Sequence, residues 1–210
     1  MQAPIKTSVT SIAAALSLVF FGSTFGQTPA GAPTTQPAGS STPASKQTTA
    51  TSRSNTSLPA GDRDFMMKAA QSDIAEIQSG QVAKEKASSD AVKKFADQMV
   101  TDHTKTSGQM KTMAVSRSVS LPTTSSAKDQ RDMKKMSTMF GTDFDRAYMA
   151  SQVRAHRDAV ALFQKESKSG KDAELKSFAA TTLPALQEHL KMATEMSKTA
   201  NAAPRKSAGK

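Results

Sequence analysis

From Asp62 to Thr199 the apolar residues of this chain recur at intervals of three and four, and no stretch alternates apolar with polar at every second position. The first spacing aligns side chains along one side of a helix; the second, which a half-buried strand needs, is missing. A chain patterned this way closes a core by packing helical stripes against one another.

The punctuation divides the pattern into four long helices and one short one. A first helix is expected over about Asp64 to Lys86, capped by Asp62 or Asp64, with Phe65, Ala69, Ile74, Ile77 and Ala83 inward. A second over about Ser89 to Arg117, capped by Ser88 or Ser89, carries Val92, Phe95, Met99, His103, Met110 and Met113 on one stripe. Leu121-Pro122 breaks the chain. A shorter helix over about Ser125 to Phe140 ends at Gly141, and Thr142 to Asp145 has the spacing of a capping box. The next helix runs to about Lys168, with Phe144, Tyr148, Gln152, His156, Ala159 and Phe163 inward. The last runs from about Asp172 to Thr199, with Leu175, Phe178, Leu186, His189, Ala193 and Met196 inward, and Pro184 is expected to kink or restart it. Short loops make each outer pair a hairpin, and the middle connection is long. That predicts an all-α fold, a ferritin-like four-helix bundle with a short extra helix in the crossover.

Outside residues 61–199 the composition changes. Lys6 precedes the apolar run Ile12 to Phe21, and small residues follow, as in a secretory signal over residues 1–26. The run is too short to span a membrane comfortably, and no second apolar segment follows. An uncleaved anchor is the lesser alternative. Residues 27–60 are Pro, Thr, Ser, Ala and Gly with almost no large apolar side chain, so they read as a disordered linker. Residues 200–210 read as a basic tail. Six of the ten net positive charges come from Lys6, Lys46, Arg53, Arg205, Lys206 and Lys210, all outside the helical region. What remains there is mildly basic and mixed in sign, so no nucleic acid is expected as a partner.

The chain has no Cys, which excludes disulfides, thiolate metal sites and cysteine nucleophiles. Nothing resembles a nucleophile elbow or a phosphate-cradling glycine loop. Its three histidines are distinctive instead. His103, His156 and His189 each lie on the inward stripe of a different helix, near its midpoint. In a bundle of similar helices the midpoints share one level. Glu76 lies near the midpoint of the first helix, one turn after Asp73. Three imidazoles and one carboxylate are a chemically sensible site for zinc, iron, manganese or copper. Asp73, Asp102, Asp145, Tyr148 and Glu188 are candidate outer partners; Asp102 and Glu188 point about 100° away from the histidines they precede. The alternative is a histidine layer held only by hydrogen bonds. Met133, Met136 and Met139 on the crossover helix, with Met110 and Met113, offer thioethers that suit copper(I), although methionines at helical spacing are ordinary core filler.

Asp64 to Ala70, the run Phe95 to His103, Phe144-Asp145 with Tyr148 and His156, and Leu183-Pro184 with His189 together resemble an exported bacterial family of ferritin-like bundles, known as domain-of-unknown-function family 4142. The resemblance covers about Asp62 to Lys198. It implies the bundle fold and an envelope location, and no established activity. The wider ferritin-like group often holds two metals with Glu-x-x-His pairs. Here Val100, Val153 and Leu186 stand three residues before the histidines, so a di-iron centre does not carry over.

These observations frame three functions: a binding or stress-related accessory protein of the bacterial envelope, a metal-binding or redox protein using the histidines, or a structural envelope module on a tether. Substrate and partner are not readable. The mature protein is expected to begin near Gln27 or Gly31, which intact-mass measurement checks; a mature form retaining Met1 through Phe25 contradicts the signal.

Overall fold

The computed structural model describes residues 57–202. The expected signal over 1–26 lies outside the described residues, as do all but the last four residues of the expected linker and residues 203–210 of the tail. Five helices follow in order: α1 (Ala60–Lys86), α2 (Asp90–Ser116), α3 (Ala127–Met136), α4 (Gly141–Ser169) and α5 (Ala173–Ala202), with no strand among the described residues. α1 packs on α2, α4 packs on α5, and α1 joins the two hairpins through α4, while the short α3 touches α1 and α4. Two hairpins linked by a long crossover is the expected arrangement.

The core is divided along the bundle. One apolar cluster holds Phe65, Met66, Met110, Phe163, Leu175 and Phe178. The other holds Val92, Phe95, Met99, Phe144, Tyr148 and Met149. On each long helix a buried polar residue lies between its contributions to the two: Asp73 and Glu76 on α1, His103 on α2, Gln152 and His156 on α4, His189 on α5. Ile74 and Ile77, expected inward, are only half-buried, because Asp73 and Glu76 take the inward positions of that turn. Met196 is half-buried as well. Gly80 brings α1 and α2 close at this level: a Cβ there would stand 2.8 Å from the Val100 side chain and 3.0 Å from the Ala96 carbonyl oxygen.

The helix ends differ from the expected caps. α1 starts at Pro59-Ala60 without a side-chain cap, the Pro59 carbonyl accepting from the Arg63 amide (2.9 Å). Asp62 is already inside the helix, and its buried carboxylate serves the other hairpin, accepting from the amides of Lys171 (3.1 Å) and Asp172 (2.6 Å). Asp172 in turn accepts from the amides of Glu174 and Leu175 and from the Arg117 guanidinium, which ties the start of α5 to the end of α2. The capping box expected over Thr142 to Asp145 does not form: α4 opens after Phe140 with no side-chain cap. Asp145 instead finds three donors in the α1–α2 loop, the Ser88 amide (3.0 Å), the Ser88 hydroxyl (2.6 Å) and the Ser89 amide (3.0 Å). The short helix covers Ala127–Met136, and Gly141, with a positive φ of 60°, opens α4 instead of closing α3. α5 does not restart at Pro184. The loss of one amide donor at an exposed position is outweighed by the continuous packing of a 30-residue helix.

Asp145 thus holds the α1–α2 loop onto α4. Asp145→Ala removes the charged acceptor of two amides and a hydroxyl in a loop that is partly open to solvent, and is expected to cost about 1–2 kcal/mol. Urea denaturation reads this directly; a loss well below 1 kcal/mol contradicts the role.

Candidate metal centre

His103, His156 and His189 arise on α2, α4 and α5 and meet in the layer between the two apolar clusters. They are 4%, 1% and 4% exposed. Their ring centroids lie 5.6 Å (His103 to His156), 5.9 Å (His103 to His189) and 5.3 Å (His156 to His189) apart. One nitrogen from each ring lies within 4.8 Å of one from each of the other two.

The hydrogen bonds determine which nitrogens are free. His103 Nδ1 donates to Asp73 Oδ1 (2.8 Å), which also accepts from the Thr106 hydroxyl (3.0 Å). His156 Nδ1 donates to the main-chain carbonyl of Gln152 one turn earlier (3.0 Å). His189 Nε2 donates to Asp102 Oδ2 (3.0 Å). Carbonyl and carboxylate oxygens accept, so each of these nitrogens carries the hydrogen and a neutral ring presents its lone pair on the other. Those others, His103 Nε2, His156 Nε2 and His189 Nδ1, are buried and have no partner. An imidazole oriented by an oxygen acceptor, with its second nitrogen bare, is the arrangement of a metal-binding histidine.

The remaining candidates separate clearly. Glu76 is buried beside the triad but does not join the cluster; its Oε2 accepts from Gln152 Nε2 (2.7 Å). Asp73 and Asp102 orient His103 and His189. Asp102 succeeds because the 100° turn from His103 aims it along α2 toward α5. The same turn carries Glu188 into solvent, where it faces Lys191 at 3.5 Å. Asp145 belongs to the loop anchor and not to this layer. Tyr148 lies in the adjoining apolar cluster, stacked on Phe144 at 6.0 Å, and its hydroxyl has no partner. Burial, with the Glu76 charge added, raises its phenol well above the ordinary range. Gln152 was legible as inward, but not as the residue that serves both Glu76 and His156; its place one turn before His156 is the sequence signal for that role.

Residues 47–196 match the family described as "Domain of unknown function (DUF4142)". The chain belongs to this family. No curated protein and no solved structure matches it. What the DUF4142 bundle does must therefore be argued from its own layer.

The electrostatics of that layer are uneven. Burial, then the neighbouring His103, lowers His156 to about 4. Burial, then His156 and His103, lowers His189 against the pull of Asp102. Burial also acts to lower His103, but its bond to Asp73 and the charges of Glu76, Asp73 and Asp102 outweigh it and leave the ring above the ordinary value. Burial raises Asp73 and Glu76, in both cases against the influence of His103.

The lowered His156 has a consequence for acid stability. Below the ordinary histidine value near 6.5, the unfolded chain binds a proton at this position that the folded DUF4142 bundle refuses until about 4. Stability attributable to this residue therefore falls as pH drops through that window, by at most about 1.4 kcal/mol per pH unit. The metal-free His156→Gln protein is expected to lose less stability than wild type between about pH 6.5 and 4.5. Urea midpoints measure it, and equal losses contradict the lowered His156.

Proposed function

We propose that this DUF4142 protein binds a divalent transition metal through His103 Nε2, His156 Nε2 and His189 Nδ1. The observation that carries the reading is that these three nitrogens are buried and without partners, while the opposite nitrogen of each ring is held by an oxygen, and that the three rings converge, one nitrogen of each lying within 4.8 Å of the others. Left bare, each buried acceptor costs about 1–3 kcal/mol. A core layer built only for hydrogen bonding would pair these atoms with one another or with Tyr148; a metal uses all three lone pairs together. Three neutral imidazoles suit zinc, copper or iron(II), and each ring is already oriented, two by carboxylates and His156 by a main-chain carbonyl.

Nitrogens bound to one tetrahedral zinc ion at about 2.0–2.1 Å stand about 3.3 Å apart. One nitrogen of each ring already lies within 4.8 Å of the others, so small adjustments of rings and helices suffice to reach that spacing. The signal-like N-terminus supports placing this metal-binding bundle in the bacterial envelope.

Calorimetric titration with zinc, copper(II), manganese and iron(II) tests the reading. One ion per chain is expected for at least one metal. His103→Ala, His156→Ala and His189→Ala are each expected to weaken binding by about 100-fold or more, beyond the 10- to 100-fold typical of losing an orienting partner. Bound metal at 100 times its Kd should raise stability by about 2.7 kcal/mol. A folded wild-type protein that takes up none of these metals contradicts the proposal.

A further inference from the structure

Histidines as buried as these need a path by which an ion reaches them, since a workable metal site includes its access as well as its ligands. A cavity of about 300 Å³ lies on one side of the layer, between α1 and α4 and beneath α3. Its walls are small, with Ala75 and Ser79 on α1 and Ala150 and Ala155 on α4; methionines of α3 form its roof, and Glu76 lines it. Lys128, Asp129, Asp132, Lys135, Arg154 and Asp158 supply charged groups of both signs to its lining.

Glu76 connects this cavity to the triad. Its Oε2 is bonded to Gln152 Nε2, and the carbonyl of Gln152 orients His156. The charge of Glu76 also acts on His103 and His189. No other carboxylate both lines the cavity and adjoins the histidines in this way. Asp102, which is partly exposed, marks the obvious competing approach, but it holds His189 by Nε2, the nitrogen opposite the free one. An ion arriving there would have to break the bond that orients its own ligand.

We propose that the α3-roofed cavity is the entrance for the metal and that Glu76 is the carboxylate that receives the ion there and passes it to the three histidines. This rests on the metal-binding reading above. A carboxylate oxygen first replaces part of the hydration shell of the ion; the imidazole nitrogens then take it over, and Glu76 keeps its bond to Gln152. α3 is suited to roofing a passage, because it is short and makes few contacts with the bundle, chiefly at α1 and α4. The thioethers of Met133 and Met136 on α3, and of Met139 just after it, line the way without binding hard ions such as calcium or magnesium.

The test separates route from destination. Zinc uptake by the full chain is followed by stopped flow, with the affinity measured separately at equilibrium by competition with a chelator. Ala150→Phe and Ala155→Phe fill the passage from two points on its α4 wall; thermal melts identify whichever of them folds. At least one is expected to slow both uptake and release about tenfold or more, with affinity and one-to-one stoichiometry retained. Glu76→Gln, which keeps an oxygen for Gln152 but removes the charge, is expected to slow uptake about tenfold while the histidines still hold zinc. Met133→Ala should speed uptake by opening the roof. Uptake at the wild-type rate in a folded passage-filling variant and in Glu76→Gln overturns the route, as does slowing by Asp102→Asn alone. A folded wild-type protein that takes up no zinc, copper, manganese or iron(II) at equilibrium overturns the metal reading and this proposal with it. That result is distinguishable from failure of the route, in which zinc binds but its rate is unmoved.

Discussion

A polar layer placed halfway along an apolar core has to pair the donors and acceptors it buries, because each one left unpaired there is costly. In this layer one nitrogen of each histidine ring has an oxygen partner, while the other nitrogen of each ring, and the Gln152 side-chain oxygen, have none. Asp73, Asp102 and the Gln152 carbonyl each claim one ring hydrogen, which leaves His103 Nε2, His156 Nε2 and His189 Nδ1 without partners on three rings whose centroids stand 5.3 to 5.9 Å apart. Like dipoles and lone pairs facing one another in a medium of low polarity are unfavourable. The rest of the fold has to hold them there.

It does so by clamping the layer from both sides. The cluster around Phe65, Phe163 and Phe178 packs with ring centroids 5.0 and 5.9 Å apart, and the one around Phe95, Phe144 and Tyr148 at 6.4 and 6.0 Å. Aromatic packing of this kind fixes helix rotation as well as separation. Rotation matters most here, since turning one helix by a residue would carry its histidine 100° out of the layer. The bundle's ends are tied by carboxylates reaching between hairpins: Asp62 to the amides opening α5, Asp145 to the loop opening α2. These ties set the axial register that brings three midpoints to one level. The cavity under α3 exists because the facing walls of α1 and α4 are alanine and serine at that level, too small to fill the space.

The fold was legible because helical periodicity and loop length are local properties, and every expected member of the α2 stripe is buried, joined by Ala96 and Ala114. The convergence of the histidines was legible for a related reason: a midpoint on an inward stripe is a three-dimensional coordinate in a bundle. Side-chain direction was not. Asp102 and Glu188 occupy the same position relative to their histidines, yet one orients His189 and the other faces water, because only the first has a neighbouring helix on that side. Asp145 looked like a cap and proved to be a loop anchor, since long-range donors outcompeted local ones. Glu76 shares the level of the triad but turns to Gln152, a pairing between residues 76 apart in sequence that no local pattern reveals.

The central claim is that three specific ring nitrogens are bare in the protein and are taken by metal. Proton–nitrogen correlation spectra of the histidine rings test this most directly, recorded at neutral pH before and after one equivalent of zinc. The account predicts a hydrogen on Nδ1 of His156 and on Nε2 of His189 in the metal-free protein. On adding zinc it predicts large shifts confined to His103 Nε2, His156 Nε2 and His189 Nδ1. The opposite tautomers, or rings whose nitrogen signals do not move at stoichiometric zinc, would contradict it.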